Sequence, residues 1–360
     1  MAGENLYLMK NKTEQEKSAG NRNKIILNTR IWLARNLTNQ KFAGAGSGRE
    51  RNALLEEIKK SVSDTKIFKD FRYYKIGSLG KIQRDLLFKD YMIDAGVANR
   101  MQGKGLFIRS RLSSGMSTAV IINHEDHLGI QSTCPGLNIR KAYKEVTGIE
   151  KYFEKRLSFA FDSNLGYLTA SPFNLGTALR ITVIAHLPIL IVGPGIADFV
   201  KKINSIGCQI NGYFVGRSEI IGNLFEISNQ VTLGKGERDI VKEMQAICLS
   251  IIEDEQNARM QLKRNDLLGI EDNIYRSFGL LKYAKILSYE EALELLSILR
   301  LGLDLSIIDG VYDFDFFELI NKISNPRIIL DMEISDEVND DRLDSIRAGI
   351  IRKKVLKEAD

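Results

Sequence analysis

Cysteine and proline are both scarce in this chain. Its 360 residues include only three cysteines, Cys134, Cys208 and Cys248, which lie far apart. An odd number of widely spaced cysteines provides neither a disulfide framework nor the paired spacing of a zinc site. There are five prolines and one tryptophan. The composition therefore excludes the small disulfide-rich and zinc-ribbon classes and agrees with a helical bias.

Long hydrophobic runs are missing as well. The longest run, 181–192, is interrupted by His186 and Pro188, so no window of about 20 apolar residues is available to cross a bilayer. Residues 1–23 are polar and mixed in charge, without the apolar core of a signal peptide. We therefore expect no membrane association, and a disordered tail at 1–23 of a cytoplasmic protein.

The charge is nearly balanced, at +5 from 51 basic and 46 acidic side chains. Basic and acidic residues are interleaved, whereas proteins that track a phosphate backbone concentrate lysine and arginine in a patch or stripe. Nucleic acid is therefore not an expected partner. With 44% hydrophobic residues, a chain of this length has room for two domains with a sizeable core.

A polar cluster follows a predicted buried strand at 119–122. The cluster reads N-H-E-D-H-L-G from Asn123 to Gly129. Two carboxylates and two histidines in four residues suit a metal site, an acid–base pair or a polar turn, and these residues alone leave the three alternatives open.

Periodic apolar positions predict several further elements. Helices are expected at 49–62, 81–92, 137–157, 196–206 and 240–264, with Ser288 and Glu291 as a capping box for another. Residues 106–108 are expected to form an edge strand, 159–170 a hairpin-like pair and 209–215 a strand. The stretch before His186 is expected to be helical.

The cluster at 123–129 resembles the N-E-E-D-H-L-R signature of the guanidino phosphotransferases, the family of arginine and creatine kinases, and especially the protein arginine kinases of the McsB type. Three other stretches are similar to motifs of that family. They are S-P-F-N-L-G-T-A-L-R at 171–180, N-G-Y-F-V-G-R-S-E at 211–219 and N-T-R-I-W-L-A-R-N-L at 28–37. The residues from 222 to 234 match the McsB-type sequence almost throughout, and the resemblance extends over about 24–357.

This resemblance implies an α+β fold with two folded parts. A guanidino-kinase catalytic domain with a mainly antiparallel sheet flanked by helices is expected at 24–235. An all-helical domain is expected at 236–360, similar to the phosphoarginine-receptor domain that creatine and arginine kinases lack. In its receptor motif, Asp344 and Arg347 match the family pattern for binding phosphoarginine, while the leading arginine is replaced by Leu343 unless Arg342 takes its place. The alternative for this stretch is an ordinary charged helix.

The resemblance also implies residue roles at the catalytic site. The family holds the phosphates of ATP with five arginines, of which Arg30 and Arg180 are kept here. The other three nucleotide-binding positions carry Trp32, Gly129 and Asn211.

Of the two family glutamates that orient the guanidinium, Glu125 is kept and Gly216 stands at the second position. ATP with Mg²⁺ is the implied cofactor if nucleotide binding is retained. The implied partners are proteins that carry arginine or phosphoarginine, a zinc-binding activator protein and a second copy of the chain.

The losses at these positions bear directly on activity, since phosphoryl transfer depends on positioning and on balancing phosphate charge. Three lost charge-assisted hydrogen bonds, at about 1.5–3 kcal/mol each, remove on the order of 5–9 kcal/mol if they are additive. The sequence therefore predicts a pseudokinase with a binding or regulatory role. The alternative is an active ATP-dependent protein arginine kinase in which Arg217 replaces part of the lost charge.

Overall fold

The computed structural model describes residues 25–63, 65–89, 103–111, 115–190, 196–213, 220–334 and 338–356. Within these ranges the fold is α+β. Strands and helices both occur up to residue 229, and from residue 237 onward all the named elements are helices. The predicted fold class is confirmed. The predicted tail at 1–23 lies outside the described residues, and the predicted domain boundary between 235 and 236 stays a prediction.

One eight-stranded sheet carries the strands in the order β2-β3-β4-β5-β1-β8-β10-β9, and its β2–β3, β3–β4, β4–β5 and β5–β1 pairs are antiparallel. A separate short hairpin pairs β6 with β7. The strands are β1 Ile26–Arg35, β2 Arg72–Lys75, β3 Gly105–Arg111, β4 Met116–Ile122, β5 Leu128–Pro135, β6 Phe161–Asp162, β7 Gly166–Tyr167, β8 Leu179–His186, β9 Cys208–Gly212 and β10 Leu224–Asn229.

The helices follow the apolar periodicity. In α3, for example, Ala142, Val146, Ile149 and Phe153 form a buried stripe at helical spacing. The helices are α1 Gly48–Val62, α2 Lys81–Lys89, α3 Ile139–Glu154, α4 Ile196–Ser205, α5 Glu237–Asn265, α6 Leu267–Tyr283, α7 Tyr289–Asp304, α8 Phe316–Lys322, α9 Asn325–Asp331 and α10 Asp340–Val355. None of the described helices is long and apolar enough for a transmembrane segment.

Capping residues define where two of these helices begin. Ser47 accepts a hydrogen bond from the Glu50 amide while Glu50 bonds back to Ser47, a complete capping box at the start of α1. Ser288 caps α7 by accepting from the Glu291 amide at 3.2 Å, which confirms the predicted N-cap. The return bond from Glu291 that would complete the predicted capping box is not found among the described residues.

Two predictions about secondary structure are wrong, and both concern segments that are strands inside the sheet. The stretch that ends at His186 is strand β8, whereas a helix was expected. Nearly every side chain of β8 is buried, so the two-residue alternation that identifies a half-exposed strand is lost. Residues 106–108 belong to β3, which lies between β2 and β4, whereas an edge strand was expected.

The chain divides into two compact units that are interleaved in sequence. The first comprises Asn28–Thr182 and Ser228–Ala246, and the second comprises Val183–Ile227 and Ile247–Asp360 with residues 25–27. The core of the first unit includes Ile31, Leu33, Ile121, Ile130 and Phe153. The core of the second consists mainly of helix side chains, among them Ile274, Leu281, Leu296, Ile320 and Ile351.

Candidate active site

The polar cluster after β4 is a tightly anchored loop. The Asp126 carboxylate accepts hydrogen bonds from Asn36 Nδ2 at 2.6 Å and from the Ala170 amide at 2.7 Å. His127 accepts from the Leu37 amide through Nδ1 at 3.0 Å, which leaves its Nε2, 2.7 Å from the Lys41 carbonyl, as the donor. Burial lowers the pKa of His127. Asp126 and His127 therefore hold the loop against the end of β1.

Immediately before these anchors, Glu125 is exposed and His124 is half-buried. Asn123 precedes them with a φ of 57°, a left-handed conformation that asparagine tolerates well. Its Nδ2 donates to the carbonyls of Arg51 and Gly103 at 2.9 and 2.6 Å. The loop thus presents the Glu125 carboxylate to solvent on a fixed backbone.

The less buried face of β1 carries two of the predicted nucleotide-binding residues. Arg30 and Trp32 are half-buried and alternate with the fully buried Ile31 and Leu33. On the neighbouring β5, Trp32 pairs with Gln131 and Ala34 with Gly129, so Gly129 belongs to the same face.

Arg180 lies at the same level of the adjacent β8. The Ala34 amide donates to the Ala178 carbonyl at 3.2 Å and the His186 amide donates to the Ile25 carbonyl at 2.8 Å, so β8 runs antiparallel to β1. Trp32, two residues before Ala34, therefore lies opposite Arg180, two residues after Ala178. Arg180 is half-buried between the buried Leu179 and Ile181, and this alternation assigns it to the less buried face. The structure therefore brings Arg30, Trp32, Gly129 and Arg180 together on three adjacent strands.

Trp32 fills the space beside Gly129. A Cβ built on Gly129 would overlap Cη2 and Cζ2 of the indole and lie 3.1 Å from Cζ3. The centroid of the Trp32 ring is also 5.5 Å from that of His124. Two positions where the family has arginines are thus packed against each other as a large and a small residue.

Gln131 is a residue of this face that the sequence reasoning missed. Its side chain is 2% exposed, and its Nε2 has no hydrogen-bond partner in the described part of the chain. A buried, unpartnered donor next to two arginines suits an anionic ligand. The only sequence signal was its position two residues after Gly129 in the signature strand.

The loop before Arg180 is held by Thr232. The Thr177 amide donates to the Thr232 carbonyl at 2.9 Å, and Thr232 Oγ1 donates to the Leu175 carbonyl at 2.7 Å. Gly176 has a φ of +102°, and a Cβ there would lie 2.7 Å from Leu233 Cα. Only glycine permits this approach of two backbone segments.

Arg35, the last residue of β1, is fully buried. Its guanidinium donates to Glu150 at 2.7 Å, to Glu237 at 3.0 Å and to the Thr177 carbonyl at 2.9 Å. The Tyr167 ring stacks on it, with its centroid 3.4 Å from Cζ. Arg35 therefore ties the Arg180 loop to α3 and to the start of α5.

Asn211 is exposed in β9, in the second unit. Gly216 and Arg217 lie outside the described residues. No group of three or more histidine, cysteine or acidic side chains suited to a metal ion occurs among the residues described, and Asp126 and His127 serve as loop anchors.

Asp344 and Arg347 both lie in α10, and Arg347 is fully buried. The Arg347 guanidinium donates to the Ile323 carbonyl at 2.9 Å, to the Leu287 carbonyl at 2.6 Å and to the side chains of Asp344 and Asn325. These bonds link α10 to Leu287, just before α7, and to Ile323 and Asn325, around the beginning of α9.

Two protein-family models match this chain. The C-terminal catalytic domain of the ATP:guanido phosphotransferases matches residues 53–258, and the C-terminal domain of the protein-arginine kinase McsB matches residues 268–360. A protein-arginine kinase of Pelotomaculum thermopropionicum is 34% identical over 338 residues, which cover 93% of each chain. One of Bacillus cereus is 34% identical over 336 residues with the same coverage.

Solved structures agree at the level of the fold. The duplicated taurocyamine kinase of Schistosoma mansoni aligns with a TM-score of 0.58 and 24% identity over 74% of this chain, which spans 39% of that longer one. A lombricine kinase aligns with a TM-score of 0.55 and 22% identity, covering 65% of this chain and 67% of its own. Together with the matches to whole-length relatives, these findings show that the chain belongs to the ATP:guanido phosphotransferase family and is a homologue of the McsB-type protein-arginine kinases.

Proposed function

We propose that this chain is an ATP-dependent protein arginine kinase, which phosphorylates arginine side chains of proteins. The observation that carries the proposal is the placement of Arg30 and Arg180 on one sheet face together with the buried Nε2 of Gln131, which has no hydrogen-bond partner among the residues that the structure describes. Two guanidinium groups and a buried donor suit a polyphosphate. The names of the relatives that match over 93% of the chain support the same activity.

The roles of the residues follow from their chemistry. Arg30, Arg180 and Gln131 would hold the phosphates of ATP, whose Mg²⁺ balances further charge. Asn211 is an uncharged donor at a family arginine position, whereas Trp32 and Gly129 offer no side-chain cation. The exposed Glu125 would orient the guanidinium of the substrate, because a carboxylate binds a guanidinium in a two-pronged geometry.

A second candidate is a pseudokinase that binds arginine-bearing proteins in a regulatory role. The packing of Trp32 on Gly129 favours it, since the indole fills space in which relatives place cations. Fewer cations leave the phosphate charge less balanced, and each lost charge-assisted bond amounts to about 1.5–3 kcal/mol. Under this candidate the protein recognises its partners and transfers no phosphate.

Incubation of the purified chain with ATP-Mg²⁺ and an arginine-rich protein distinguishes the two candidates. Acid-labile phosphoarginine that forms with the parent chain and is lost in Glu125→Gln is the result expected for the kinase. No turnover, with or without a zinc-binding activator protein of the kind its relatives use, would overturn the kinase proposal.

Nucleotide binding is measured separately by the fluorescence of Trp32, the only tryptophan of the chain. A saturable change on addition of ATP-Mg²⁺ is expected for the kinase. A flat titration up to millimolar ATP would favour the pseudokinase.

We also propose that the protein acts in the cytoplasm as a homodimer. We further propose that Asp344 and Arg347 contribute to a phosphoarginine site. Because Arg347 already donates four hydrogen bonds, phosphoarginine would have to replace some of them. Calorimetric titration with free phosphoarginine, repeated on Arg347→Lys, tests this role. Equal affinity in the parent and the variant would exclude it.

A further inference from the structure

Five large apolar side chains are exposed in three segments of the first unit. Phe173 is 82% exposed, Phe161 60% and Leu233 47%, and Leu165 and Val231 are exposed as well. Soluble proteins seldom concentrate so much apolar surface without a binding role. We refer to these five residues as the apolar platform.

Hydrogen bonds join these three segments to one another. The Tyr167 amide donates to the Gly176 carbonyl at 2.8 Å, which attaches the hairpin with Phe161 and Leu165 to the loop after Phe173. Thr232, between Val231 and Leu233, shares its hydroxyl proton between the Leu175 carbonyl at 2.7 Å and the Phe173 carbonyl at 3.2 Å. The platform is therefore held by hydrogen bonds that do not depend on its own side chains.

The platform borders the loop that carries Glu125. The neighbouring Asp126 binds the Ala170 amide at 2.7 Å, and Ala170 precedes Phe173 by three residues, at most about 10 Å of chain. The exposed Glu125 carboxylate complements a guanidinium, and the platform complements apolar side chains. An extended peptide can contact the Glu125 carboxylate and the apolar platform at the same time when its apolar residues lie a few positions from its arginine.

We infer that the apolar platform binds the sequence around the target arginine, and that the partner is an extended protein segment with large apolar residues flanking that arginine. This inference rests on the proposed function, since it specifies the class of protein that the same site accepts. It also explains why Phe173 stays exposed although its neighbours are fixed by backbone bonds.

The test compares two fluorescein-labelled peptides, each with a single arginine. One has leucine and phenylalanine three to four residues on either side of the arginine, and the other has serine at those positions. Fluorescence anisotropy measures their affinities for the full chain. We expect the apolar peptide to bind about tenfold or more tightly than the serine peptide, and Phe173→Ser/Leu233→Ser to remove this preference.

Phe88→Ser and Ile67→Ser are matched controls, because both side chains are about as exposed as Leu233 but lie outside the platform. They are expected to retain the preference. Equal binding of the two peptides by the parent chain, or an unchanged preference in Phe173→Ser/Leu233→Ser, would overturn the inference. So would an oligomer in sedimentation velocity that the same double variant dissociates, because the platform would then bind a second copy.

Measuring peptide binding and peptide phosphorylation separately distinguishes the inference about the platform from the proposed kinase activity. Phosphorylation of the serine peptide by the parent chain reports on the kinase activity alone. A chain that binds the apolar peptide preferentially but phosphorylates neither peptide would refute the kinase and leave the platform supported. A chain that phosphorylates both equally well and binds them equally would refute the platform alone.

Discussion

The indole of Trp32 occupies the volume that any side chain at Gly129 would need. A Cβ at residue 129 would overlap the six-membered ring of Trp32, and the two residues lie diagonally across the β1–β5 pair. Each replacement accommodates the other, since the large residue fits only because its neighbour has no side chain. The two positions are therefore coupled, and an arginine at residue 129 should destabilise the protein as long as Trp32 is present.

Gly129→Arg is expected to lower the free energy of unfolding by about 1–3 kcal/mol, the usual cost of overpacking a filled site. Trp32→Arg/Gly129→Arg is expected to recover most of this loss, because the indole is removed. Urea denaturation measures both. Gly148→Ala is the control, since a Cβ there meets nothing within 4 Å, and it should stabilise the protein slightly. A fully stable Gly129→Arg would contradict the packing.

Arg180→Gln is expected to weaken the binding of ATP-Mg²⁺ by about 10- to 100-fold, because it removes one charge-assisted bond to phosphate. Arg30→Gln should have a similar effect, and Gln131→Leu a smaller one. Trp32 fluorescence measures the affinities. Arg276→Gln provides a control, since Arg276 forms an exposed pair with Asp272 on α6. Unchanged affinity in Arg180→Gln would remove this residue from the phosphate site.

Arg35→Met is expected to destabilise the first unit by about 3–5 kcal/mol, because it leaves the buried Glu150 without its partner. Burial raises the pKa of Glu150, and Arg35 opposes this rise. Glu150→Gln in the Arg35→Met background should therefore restore part of the loss. Chemical denaturation with Arg276→Met as the surface control measures the difference. A loss below 1 kcal/mol would argue against a structural role for this arginine.

Stability should fall in mild acid. Burial lowers the pKa of His127 and lowers that of His186 well below the ordinary value of 6.5. The unfolded chain therefore binds more protons than the folded one below about pH 6.5, and the free energy of unfolding falls as the pH decreases through that range.

For each histidine the slope approaches about 1.4 kcal/mol per pH unit. His186→Gln is expected to show a shallower decrease between pH 6.5 and 5, measured by urea denaturation at each pH. The comparison is internal, since His127 remains in both proteins. A parent chain whose stability is constant across this range would contradict the burial of two neutral histidines.

Local sequence patterns, such as the spacing of apolar residues and the presence of N-cap residues, predict several of the helices. The helical spacing of Leu54, Leu55, Ile58 and Val62 corresponds to α1, and Ser288 caps α7 as expected. The strand β8 was mistaken for a helix because its side chains are buried on both faces of the sheet. Burial on both faces depends on which elements cover the strand, and no local pattern encodes that.

At the site, the order of amino acids is enough to establish which charged groups exist: Arg30, Arg180 and Glu125 are present, and three family arginines are replaced. How the remaining residues are used depends on the folded chain. It packs Trp32 against Gly129, and it leaves the buried Nε2 of Gln131 without a hydrogen-bond partner within the described ranges. It also engages Arg35 and Arg347 in structural hydrogen bonds. The physical reason is that the type of a residue sets its charge and volume, whereas packing between distant segments sets its solvation and its partners.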